Sequence, residues 1–97
     1  MSDYKLDTIL AHAGINSDEK TGALIAPIYL STTYQHPEFG QSTGFDYTRT
    51  KNPTRLTLEK TLAKIEKADY ALVTSSGMAA LVLLFNSFPE QSNIVAA

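Results

Sequence analysis
Cysteine is absent from these 97 residues. Disulfides, thiolate metal sites and cysteine nucleophiles are thereby excluded. Histidine is scarce: His12 and His36 lie in different segments with no ligand spacing between them, so no metal site is expected. Long apolar runs are missing as well. The longest, from Met78 to Phe85, has eight residues, far short of the ~20 that span a bilayer. The stretch Met1 to Asp7 carries acids and no apolar core, so it does not read as a secretory signal. Nor does charge of one sign predominate. Eight basic and ten acidic residues leave a net charge of -2, with no electrostatic footprint for nucleic acid or an anionic membrane. The expectation is a cytoplasmic protein that binds neither.

What is present divides into two parts. Residues 1–52 have little periodic pattern. Leu6 to Ala13 predicts a short helix, with Leu6, Ile9 and Leu10 on one face and Gly14 as its C-cap. Asn16 to Glu19 and Thr21-Gly22 carry turn chemistry. Pro27 keeps Ala26 to Leu30 extended, and Gly40 to Gly44 reads as a flexible loop. So long an irregular stretch predicts an arm that wraps over another surface.

Residues 53–97 are patterned. Asn52-Pro53 is an N-cap followed by proline at the first helical position, and the predicted helix runs from about Thr54 to Lys67. Leu58, Leu62 and Ile65 form its core-facing stripe; Lys60, Lys64 and Lys67 form the solvated face. A strand is predicted over 70–74 and a largely buried helix over 77–88, since Ala79 to Phe85 is apolar on all sides. Ile94-Val95 reads as the start of another strand. Helix, strand, helix, strand is the beginning of an α/β domain with a parallel sheet. Asn93 to Ala97 opens a buried strand without a turn or polar tail, which predicts that the chain is truncated.

Two places have the chemistry to bind an anion. At Ser75-Ser76-Gly77-Met78, a strand turning into a helix aims free N–H groups and the positive end of the helix dipole at one spot. The backbone of Gly77 and Met78 with the Ser76 hydroxyl suits a phosphate. Read locally, the same residues equally make an N-cap that needs no ligand. Tyr47 and Arg49, two apart in an extended segment, share a face. A guanidinium beside a phenol also suits a phosphate. Taken alone, the pair more readily reads as a surface arginine stacked on an aromatic ring. Asp18-Glu19 reads as a solvated turn, Tyr29 and Tyr34 as packing residues, and Lys51 as surface. All six lysines lie in polar sequence contexts, not in the apolar setting that Schiff-base chemistry calls for. No catalytic residue is expected within these 97 positions.

Taken in order, the blocks resemble the N-terminal quarter of the Cys/Met-metabolism family of pyridoxal 5'-phosphate (PLP) enzymes. They are Thr21-Gly22-Ala23, Pro27-Ile28-Tyr29, Ser31-Thr32-Thr33-Tyr34, Tyr47-Thr48-Arg49-Thr50, Asn52-Pro53-Thr54, Leu58-Glu59 and Ser76-Gly77-Met78-Ala79-Ala80. The resemblance implies an aspartate aminotransferase-like large domain with a mostly parallel sheet, preceded by an arm. Residues 1–52 are then the arm contacting a neighbouring subunit, and 53–97 begin the PLP-binding α/β domain. It implies that Tyr47 and Arg49 hold the cofactor phosphate of a neighbour, while Ser76, Gly77 and Met78 hold the chain's own. It also implies a homo-oligomer, dimer or tetramer, acting on a small amino-acid substrate. The Schiff-base lysine, the acid facing the pyridine nitrogen, the stacking tyrosine and the substrate arginine all fall beyond residue 97.

Ser42 to Tyr47 with Arg49 to Pro53 looks most like the bacterial cystathionine γ-synthases and related O-acylhomoserine sulfhydrylases. The implied reaction is γ-replacement on an O-acylhomoserine by cysteine or sulfide, with the cystathionine β- and γ-lyases as the alternative. A reading of another class is a folded interaction fragment without activity.

Overall fold
The computed structural model describes residues 4–15 and 18–97. Met1 to Asp3, and Asn16 and Ser17 of the turn predicted from the sequence, lie outside the described residues. Among the described residues three helices form: α1 (Leu6–Ala11), α2 (Pro53–Ile65) and α3 (Gly77–Asn86).

Helix α1 starts at Lys5 with no side-chain cap and ends two residues before the predicted Ala13. Gly14 follows at φ 73, and a Cβ there would stand 3.2 Å from Thr57 Cγ2. Glycine thus lets the chain reverse where it comes close to α2. α1 packs against α2, and α3 packs against neither. The turn at residues 18–22, beyond α1, is held by Asp18, whose carbonyl accepts from Gly22 N–H at 2.9 Å and whose carboxylate accepts from the Thr21 hydroxyl and Lys20 N–H.

Helix α2 begins where the sequence predicts. Asn52 caps it by accepting from Thr54 N–H at 2.8 Å, and Pro53 occupies the first turn. It ends at Ile65, two residues short of Lys67. Lys67 enters the left-handed region at φ 52, and Ala68 N–H returns to Ala63 C=O at 2.9 Å. That is a Schellman-type stop made without glycine. The predicted stripe is only partly covered: Leu62 and Ile65 are half-buried, Leu58 is 47% exposed, and the buried apolar residue is Ala63.

Residues 21–51 form no helix or strand. Thr33 and Tyr47 make one isolated antiparallel bridge, with Thr48 N–H donating to Thr32 C=O at 2.9 Å. This irregular segment is tied to the N-terminus of α2. Tyr29 N–H donates to Thr54 Oγ1 at 2.8 Å, and Asn52 Nδ2 donates to Tyr29 C=O at 3.2 Å.

Two expectations are corrected. Residues 70–74 and 94–95 have no regular secondary structure, and no strand forms among the described residues. A strand exists only through its ladder, and no second segment lies alongside to supply one. The helix expected to be largely buried is α3, and it has no buried residue: Leu81, Val82, Leu83, Leu84 and Phe85 are all close to half exposed. An all-apolar helix needs a layer on each side, and these residues provide none. The α/β expectation is met only in its helices. The accessible surface, 8683 Å², far exceeds the roughly 5500 Å² of a compact domain of this mass. The radius of gyration, 17.0 Å, likewise exceeds the ~12.5 Å of a compact chain of this length.

Candidate anion-binding site
Tyr47 is placed by its bridge to Thr33 and by the turn that follows. Its carbonyl accepts from Thr50 N–H at 3.0 Å, Lys51 N–H at 2.9 Å and Thr50 Oγ1 at 2.8 Å. Arg49 therefore sits in a turn, not in the extended segment that the spacing suggested. The turn still brings the two side chains together. Arg49 Nη2 donates to Tyr47 Oη at 2.9 Å, and its Cζ stands 5.1 Å from the Tyr47 ring centroid. No carboxylate pairs with Arg49 among the described residues. The charge is held by a neutral phenol and left available to an anion.

The turn is braced from behind. Arg55 Nη1 donates to Thr48 C=O at 3.1 Å, and Asn52 Nδ2 donates to Thr48 Oγ1 at 2.8 Å. Nearby, the Tyr34 and Phe45 rings stand 5.8 Å apart, Lys51 Nζ lies 5.3 Å from the Phe45 ring, and His36 Nε2 pairs with Asp46 Oδ1 at 2.8 Å. These contacts account for Tyr34 as a packing residue. No group of three or more potential metal ligands occurs among the described residues.

The second group is the start of α3. Ser76 caps the helix: its Oγ accepts from Ala79 N–H at 3.1 Å, and its carbonyl accepts from Ala80 N–H at 3.1 Å and Thr74 Oγ1 at 2.9 Å. The Ser76 hydroxyl thus acts first as a cap acceptor; its proton remains free to donate. The N–H groups of Gly77 and Met78 have no acceptor among the described residues, as at any helix start. Gly77 is not left-handed, and a Cβ there would meet nothing within 4 Å. The chain's own backbone and packing therefore do not call for glycine at 77. Open space above two orphan N–H groups is what the close approach of a phosphate requires. No hydrogen bond or ion pair joins this group to Tyr47 and Arg49 within the chain, among the described residues.

Sequence reasoning read Asn52 as a cap and missed its second role as the tie between arm and helix. It also missed Arg55, and it named Glu59 only within the Leu58-Glu59 block, without its contacts to Arg55 and Val73. Their spacing of four on a helix is the signal that could have found them.

The sequence profile of the Cys/Met metabolism PLP-dependent enzymes matches residues 7–97. A cystathionine gamma-synthase of Haemophilus influenzae is 60% identical over 85 residues, covering 88% of this chain and 23% of the relative. A cystathionine gamma-lyase of Bacillus subtilis is 48% identical over 86 residues, covering 86% and 23%. The crystal structure of a cystathionine gamma synthase from Xanthomonas oryzae pv. oryzae superposes with a TM-score of 0.81 at 38% identity, over 88% of this chain and 22% of that one. The chain thus spans about a quarter of the length of the relatives it matches. The profile covers both anion-ready groups: this chain belongs to the Cys/Met metabolism PLP-dependent enzyme family.

Proposed function
We propose that this chain is the phosphate-binding N-terminal part of a PLP-dependent trans-sulfuration enzyme. Residues 1–52 are its arm, and 53–97 open its PLP-binding domain. The observation that carries this reading is the Arg49 guanidinium, stacked on Tyr47 with no carboxylate partner among the described residues. The free N–H groups at Gly77 and Met78 support it. Both donor sets fit a dianionic phosphate: one offers a bidentate fork and a phenol, the other two backbone donors and a helix dipole. Bound PLP supplies the electron sink for amino-acid carbanion chemistry. These 97 residues hold and orient its phosphate; they contribute no proton-transfer group.

Tyr47 and Arg49 serve a neighbouring subunit, and Ser76, Gly77 and Met78 serve their own. No direct hydrogen bond or ion pair joins the two groups within one chain among the described residues, which supports this division. The reaction proposed is γ-replacement on an O-acylhomoserine by cysteine or sulfide. Support comes from the 60% identity to the Haemophilus influenzae synthase. A lyase acting on cystathionine is the second reading, supported by the 48% identity to the Bacillus subtilis enzyme. In the full-length holoenzyme, Arg49→Ala tests the site: PLP should be lost on dialysis where the parent retains it. Retention equal to the parent overturns the assignment. Product analysis with O-acylhomoserine plus cysteine, against cystathionine alone, separates the two reactions.

A further inference from the structure
Glu59 lies on α2 between the two anion-ready segments. Its Oε1 accepts from Val73 N–H at 3.0 Å, on the segment that leads into Ser75 to Met78. The same oxygen stands 3.6 Å from Nε of Arg55, one turn earlier. Arg55 in turn donates to the carbonyl of Thr48, the residue between Tyr47 and Arg49. The Glu59 side chain is 15% exposed and that of Arg55 28%, so water and salt screen this pair less than a surface pair. A short polar path, Thr48–Arg55–Glu59–Val73, therefore joins two segments that otherwise share no polar contact. Glu59 also satisfies a backbone donor that no strand carbonyl reaches among the described residues.

We propose that Glu59 is a positioning residue for PLP phosphate binding: it sets the 73–78 cradle directly and the Tyr47–Arg49 turn through Arg55. The inference rests on reading both segments as phosphate ligands. Glu59 touches no cofactor itself. A carboxylate is needed because one group must both accept from a backbone N–H and hold a guanidinium. Glutamine keeps the first role and loses the charge for the second.

The test uses the full-length enzyme, stripped of PLP and titrated back, with cofactor fluorescence as readout and melting of the apo form as control. Glu59→Ala should weaken PLP binding about tenfold, the loss of a hydrogen bond to a charged group. Glu59→Gln should weaken it less, and apo melting should fall little in the glutamine variant. In an Arg49→Ala background, Glu59→Gln should cost less than it does in the parent, since part of its effect passes through Arg49. Losses that multiply to within about twofold of independence overturn the proposal. So does PLP binding by Glu59→Gln that equals the parent's while Arg49→Ala loses cofactor. If Arg49→Ala itself binds PLP normally, the phosphate reading fails, whatever Glu59 does.

Discussion

Asn52 donates from Nδ2 to Thr48 Oγ1 at 2.8 Å while its Oδ1 accepts from Thr54 N–H at the same distance. One side chain thus starts α2 and holds the turn that carries Arg49. It is also one of the few well-covered polar groups, at 9% exposure. Asn52→Ala should cost about 1–2 kcal/mol from the lost cap alone. It should also leave the Tyr29 carbonyl without its Nδ2 donor. Asn52→Asp keeps the cap acceptor and loses the amide donors. Denaturant unfolding of the two variants, with limited proteolysis of the arm, checks this. Aspartate should recover most of the stability yet leave residues 29–48 cleaved faster than in the parent.

Arg49 is expected to act across a subunit boundary. An Arg49→Ala chain mixed with a chain defective in the large domain should form hybrid dimers, some with one intact site. Activity of the mixture should exceed that of either parent. Hybrids that never rise above the parents place Arg49 in its own subunit's site.

Gly77→Val should separate ligand approach from structure. The position is not left-handed and its surroundings are open, so apo stability should fall by no more than the ~1 kcal/mol of an exposed helix-start change. PLP affinity should fall further, because the branched side chain stands where the phosphate approaches. Apo melting temperature and PLP titration on the same protein compare the two. Equal losses assign Gly77 to the turn and not to the cofactor.

The 97-residue chain by itself should self-associate and bind PLP weakly at most. Leu81 to Phe85 are about half exposed, Leu72 is 72% exposed and Val95 97%. An apolar patch of this kind and unpaired, β-prone segments both seek partners. Light scattering with and without PLP measures this outcome. A compact monomer carrying stoichiometric PLP contradicts it.

Local chemistry was legible because its causes are local. Asn52-Pro53 and Ser76-Gly77 announce helix starts through one side chain and its next two or three N–H groups, and α2 and α3 begin there. The ends were less legible. α2 stops at Ile65 because Lys67 takes a left-handed conformation, a choice the lysine-rich face does not reveal. The sequence also placed Tyr47 close to Arg49, but assumed the wrong backbone. A turn, not an extended segment, lays the guanidinium over the ring.

By itself, then, the sequence determined the order of helices, the N-caps of α2 and α3 and which side chains have the chemistry to hold an anion. Tertiary structure decided what those side chains rest against: Asn52 on Thr48, Arg55 on the Thr48 carbonyl, Glu59 on Val73. It also decided that 70–74 has no ladder and α3 no cover among the described residues. Caps and turns are set within a few bonds along the chain. Ladders and burial depend on what distant residues bring alongside, and no local pattern contains that.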